Sequence, residues 1–108
     1  MPWLQKLAAL SAAIAIAAGA LGAHRFAGKE AEWLRTGGLY QLLHAVVVLA
    51  LARQVAPAAL WVLLGGATLF AATLYAMAFG APRSLGAITP IGGALMIVGW
   101  LWLAWRLR

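Results

Sequence analysis

The chain has 108 residues, of which 66% are hydrophobic and 9% charged, and its mean hydropathy is +0.95. Soluble domains run near half apolar and a quarter charged, so this composition belongs in a membrane, and the length allows one domain. The net charge of +6 comes from eight Lys and Arg scattered at the ends of apolar runs, which excludes a nucleic-acid-binding patch, and the lack of Cys excludes disulfides, thiolate metal sites and cysteine nucleophiles.

The first apolar run covers residues 7–23. With Lys6 before it and small residues at its end it imitates a secretory signal peptide, but about 17 residues is long for a signal core, and it reads as a membrane span. Ala12, Ala15, Gly19 and Gly22 recur on one face, the small-residue spacing that lets helices approach closely in lipid. His24 and Arg25 follow directly as an interfacial anchor and open a charged connection that runs to Arg35 and carries Glu30 and Glu32.

The second run, residues 36–52, holds Tyr40, Gln41 and His44, and the third, residues 58–79, offers Gly65, Thr68, Ala72 and Tyr75 at three- and four-residue steps. The fourth, residues 87–105, offers Gly92, Met96 and Gly99. Runs of about 17 to 22 residues suit helices crossing a hydrocarbon core of about 30 Å, and they lack the alternation of barrel strands. The connections at 24–35, 53–57 and 80–86 are short, so the expected fold is an all-α membrane protein, four transmembrane helices in an antiparallel up-down-up-down bundle. Six Trp sit mostly towards span ends and fit an interfacial belt, Trp100 and Trp102 reading equally well as lipid-facing bulk. Basic residues divide evenly, with Lys6, Arg53, Arg106 and Arg108 on the side of the termini and Arg25, Lys29, Arg35 and Arg83 opposite. Because Glu30 and Glu32 partly neutralise the second group, both termini are assigned to the cytoplasm.

His44 is the most informative position. A neutral imidazole within the membrane needs to donate one hydrogen bond and accept another, and an ionisable side chain there is a functional candidate by default. The partners expected for it are Tyr75, Thr68 or Thr89, giving an interhelical hydrogen bond. His24 is placed near Glu30 or Glu32 as a polar cap over the bundle. Two histidines invite bis-histidine haem ligation, but one lies at a span end and the other near a span centre, so no haem or other cofactor is expected unless the second helix starts well before Thr36. Two His and two Glu in this arrangement form no metal site, Ser11 and Ser84 have no neighbouring base, and no phosphate loop is present, so the chain is not expected to be an enzyme.

In "LGAITPIGG", residues 85–93, Thr89 is expected to cap a helix whose first turn holds Pro90. Residues 85–88 would then enter the membrane without regular helical bonds, and the free helix N-terminus beside Pro90, Gly92 and Gly93 would suit an anion or a lipid head group.

"GALGAH" at 19–24, "YQLLHA" at 40–45, "LFAATLY" at 69–75 and "LGAITPIGG" with the later "GW" resemble the YgdD/YwdK family of small bacterial inner-membrane proteins, to which the eukaryotic transmembrane protein 256 is related. The resemblance covers nearly the whole chain. It implies a multi-pass inner-membrane protein of unestablished biochemical function, with signature positions at Gly19, Gly22, His24, Tyr40, Gln41, His44, Tyr75, Thr89, Pro90, Gly92 and Gly93. The third span departs from the family's usual serine-bearing "FSGSLY", and any role for a hydroxyl there passes to Thr68 or Thr73.

Three functions compete. The leading one is a structural or accessory bundle whose polar residues are internal glue, with the lipid bilayer and either further copies or a larger membrane complex as partners. The second is a carrier or channel for a small ion or polar solute, with Tyr40, Gln41, His44 and Thr89 lining a cavity. The third is a lipid or quinone binder using a groove near Pro90.

Overall fold

A computed structural model describes residues 2–107. Four helices, α1 (Pro2–His24), α2 (Gly28–Leu51), α3 (Pro57–Ala78) and α4 (Thr89–Arg106), account for most of them, with a 3-10 turn at Arg83–Ala87 leading into α4. All four are long and apolar enough to cross a membrane, the last counted with its leading turn. The molecule measures 43 Å along its longest axis, the thickness of a bilayer with its head groups.

Local chemistry sets the helix ends. Pro57 occupies the first turn of α3, where its missing N–H breaks no helical bond. At the other end Gly80 adopts φ +106. The Gly80 N–H then reaches the Met77 carbonyl at 3.1 Å and the Ala81 N–H the Ala76 carbonyl at 2.9 Å, the paired bonds of a Schellman stop. Gly28, at φ +61, opens α2 after a connection of only Arg25, Phe26 and Ala27.

Two expectations from the sequence are corrected here. The charged stretch 28–35 is helix rather than connection. Lys29, Glu30, Glu32 and Arg35 are compatible with helix, and their charges mark where hydrocarbon begins, not where the helix does. Residues 85–88 are also bonded rather than irregular: the Leu85 N–H reaches the Pro82 carbonyl and the Ile88 N–H the Leu85 carbonyl. Thr89 makes no capping bond.

Paired residues run in opposite order along each seam, so chain neighbours are antiparallel. Gly22 of α1 lies against Ala31 and Leu34 of α2, and Ala15 against Gly38. Gly37 of α2 meets Ala71 and Tyr75 of α3. Gly66 of α3 meets Gly92 and Met96 of α4, and Leu63 meets Gly99. The helices form a row, α1 on α2, α2 on α3, α3 on α4. Among the described residues α1 and α4 do not pack as a pair, and α1 barely touches α3.

A row leaves lateral grooves where a closed square would not. One lies between α1 and α3 over α2, about 520 Å³, and another between α2 and α4 over α3, about 300 Å³. The expected small-residue faces divide accordingly. Ala15 and Gly22 of α1 and Gly92, Met96 and Gly99 of α4 are buried in seams. Gly65, Thr68 and Ala72 of α3 are exposed and line the first groove; the α3 seam residues are Gly66, Ala67 and Ala71.

Candidate functional site

Polar side chains of the helices gather in three groups, two midspan and one at the start of α4. In the first, α2 presents Gln41, 4% exposed, to both its neighbours. Its Nε2 donates to Ser11 Oγ of α1 at 2.9 Å, and the Tyr75 hydroxyl of α3 donates to its Oε1 at 2.6 Å. One amide thereby ties three helices. Gly37, one turn before Gln41, makes room for the Tyr75 ring, because a Cβ there would lie 2.7 Å from Tyr75 Cε1.

In the second group, His44 is 5% exposed, and the Trp100 indole N–H of α4 donates to its Nε2 at 3.0 Å. Indole nitrogen is only a donor, so Nε2 must be the bare acceptor. Nδ1 therefore carries the proton, which it donates to the Tyr40 carbonyl one turn earlier at 2.7 Å. The ring also meets the Trp100 ring edge to face, with centroids 5.8 Å apart. A proton added to Nε2 would set two N–H groups against each other and break the only hydrogen bond between α2 and α4 among the described residues.

The third group joins α3 to the start of α4: the Thr73 and Thr89 hydroxyls lie 2.7 Å apart, beside the Phe70 and Leu85 carbonyls. Among the described residues no buried side-chain nitrogen or oxygen lacks a partner.

The residues singled out from the sequence thus separate. Gln41 and Tyr75 come together, and His44 lies one turn further along α2 with Tyr40 below it. Tyr40 contributes its carbonyl, while its ring packs edge-on against Phe70. None of the three expected partners reaches His44: Tyr75 binds Gln41, Thr89 binds Thr73, and the exposed Thr68 donates back to the Leu64 carbonyl of its own helix. His24 is exposed at the end of α1, on the level of the start of α2, about 20 Å of helix rise from His44. The early start of α2 does not bring the two histidines to one level. Pro90 is exposed, Gly92 is buried against the Phe70 backbone, and Gly93 faces the α2/α4 groove.

Sequence reasoning missed Ser11 and Trp100. Ser11 reads from the sequence as a hydroxyl without a neighbouring base, although a lone hydroxyl in an alanine-rich span suits a donor on the next helix. Trp100 reads as belt or lipid-facing bulk, and its side chain is 43% exposed. What that reading leaves out is the indole N–H, which within hydrocarbon still needs an acceptor and finds His44 as Gly99 lets α4 close on Leu63.

Four apolar helices fastened by midspan hydrogen bonds define a multi-pass integral membrane protein. The family model described as "Protein of unknown function (DUF423)" matches residues 18–93, which take in all three polar groups except Ser11 and Trp100, and the chain belongs to that family. It is 38% identical to the UPF0382 membrane protein of Haemophilus influenzae, over 92% of this chain and 88% of that one. It is 35% identical both to UPF0382 membrane protein YwdK of Bacillus subtilis, covering 88% and 87%, and to UPF0382 inner membrane protein YgdD of Escherichia coli, covering 86% and 79%. No solved structure matches the chain.

Proposed function

We propose that the protein is an accessory component of the cell inner membrane, neither enzyme nor carrier, whose midspan polar side chains hold its helices in a fixed row. The observation that carries this reading is His44: both ring nitrogens are engaged, one by a carbonyl of its own helix and one by the indole of α4. A proton or ion carrier needs a group that exchanges partners with water; His44 lines the α2/α4 groove, but neither ring nitrogen is left without a partner. The Ser11–Gln41–Tyr75 chain supports the same role, since interhelical hydrogen bonds of about 0.6 to 2 kcal/mol replace the hydrophobic drive that lipid removes. A component of this kind works by contact with other membrane proteins, either further copies or the subunits of a larger complex.

The inner-membrane placement is supported by the name of the Escherichia coli relative. Both termini face the cytoplasm in this reading. The cysteine-free chain makes that directly testable: with an impermeant thiol reagent added outside intact cells, Ser84→Cys is expected to react and Gln54→Cys to be protected. The functional test is proton flux in proteoliposomes. The reading expects a leak no greater than that of protein-free vesicles, and a flux abolished by His44→Leu in a folded protein would replace it with a carrier.

A further inference from the structure

The groove between α1 and α3 is an apolar cleft of about 520 Å³ with a polar floor, within the size range of small-molecule sites. Its walls are large apolar side chains, among them Leu10 and Ile14 from α1 and Trp61 and Leu69 from α3. Its floor is Ser11 and Gln41, 6% and 4% exposed.

The floor has hydrogens to offer. The Gln41 amide has two N–H donors, and the Ser11 and Tyr75 hydroxyls one each, four in all. Among the described residues the three side chains form two hydrogen bonds with one another and none elsewhere, so two donors remain. Turning the amide over exchanges the roles but leaves the same number. Unpaired buried donors are rarer and less tolerated than unfilled acceptor lone pairs, and no water is at hand in hydrocarbon to take them.

Depth narrows the occupant. Ser11 lies about 6 Å and Gln41 about 8 Å of helix rise inside the nearer ends of their apolar runs, below the hydrocarbon boundary. Phospholipid ester carbonyls sit at that boundary. What fits is a flat molecule that lives within the hydrocarbon and brings acceptor oxygens to these donors. We propose that the α1/α3 groove binds a lipid-soluble quinone, its tail along Leu10 and Ile14 and one ring carbonyl accepting from Ser11 and Gln41. The inference does not depend on the role given to His44, which lines the other groove.

The test titrates the protein in lipid nanodiscs with a benzoquinone bearing a ten-carbon tail and follows quenching of tryptophan emission, Trp61 being in the groove wall. The expected result is a saturable component that Ser11→Ala weakens about tenfold, the effect of one hydrogen bond. Gly65→Leu is expected to abolish it. Nothing lies within 4 Å of a Cβ at Gly65, so this variant fills the groove without touching the donors, and Ala72→Leu on the same wall serves if it does not fold. Purely linear quenching, saturation unchanged in Gly65→Leu and Ala72→Leu, or equal displacement by an alkylbenzene of the same tail would overturn the proposal. So would efficient disulfide dimerisation of Ala72→Cys that added quinone leaves unaltered, since a second copy would then fill the groove.

Discussion

The α3/α4 seam and the α1/α3 groove are made by adjacent residues of one helix. Gly66 lies in the seam, where a Cβ would come within 2.9 Å of Met96 N and 3.0 Å of the Gly92 carbonyl oxygen. Gly65, one residue earlier, meets nothing within 4 Å and lines the groove. Gly92 and Gly93 repeat the division on α4, the first against Phe70 and the second on the α2/α4 groove. On α2 the same contrast is polar: His44 has both nitrogens engaged, while Gln41, three residues away, keeps a donor over a cleft. One step around a helix separates a residue that fastens the fold from one that leaves room for something else.

Substitution in the seam should show the contrast most strongly. Gly92→Ala places a Cβ 2.5 Å from Phe70 N and 2.8 Å from the Gly66 carbonyl oxygen, backbone atoms that yield only if α3 and α4 separate. A loss of about 3 kcal/mol in reversible unfolding in bicelles is expected, the upper part of the range for overpacking. A loss under about 1 kcal/mol would mean that the seam is looser than described.

Next in size is the His44 pair. His44→Leu leaves the Trp100 N–H without an acceptor and should cost about 2 kcal/mol, whereas adding Trp100→Phe should recover part of that loss because neither partner is then orphaned. Equal and additive losses in the same unfolding measurement would show that the two side chains are not coupled.

The groove glycines should respond in the opposite direction. Gly65→Ala and Gly93→Ala meet open space, and alanine's better helix propensity should raise the unfolding free energy by up to about 1 kcal/mol. Smallest of all, Thr68→Ala removes a hydroxyl that binds only its own helix and should shift stability by less than about 0.5 kcal/mol.

These contrasts also explain what the sequence could carry. Length and hydropathy suffice for four membrane-crossing helices, because the bilayer admits few other ways to satisfy a backbone. The spacing of Gly92, Met96 and Gly99 identifies a true contact face. The spacing of Gly65, Thr68 and Ala72 is the same, yet that face lines a groove: small residues permit close approach on any side and do not say which side has a neighbour. Charges at Lys29, Glu30, Glu32 and Arg35 mark the membrane boundary but not the start of α2 at Gly28. The need of His44 for partners is legible in its chemistry. Their identity is not, because Trp100 is 56 residues away and only the registers of two seams bring α4 beside α2. The hydroxyl of the third span, sought at Thr68 or Thr73, falls to Thr73, whose position facing α4 gives it Thr89.

The central claim is that His44 is held as an acceptor by the Trp100 indole, and the tautomer of its ring tests that claim most directly. Nitrogen NMR of selectively labelled protein in lipid nanodiscs should find the proton on Nδ1 and Nε2 bare, with Trp100→Phe altering the Nε2 resonance. A proton on Nε2, in either the neutral or the charged ring, would contradict the account and reopen His44 as a group that does more than join helices.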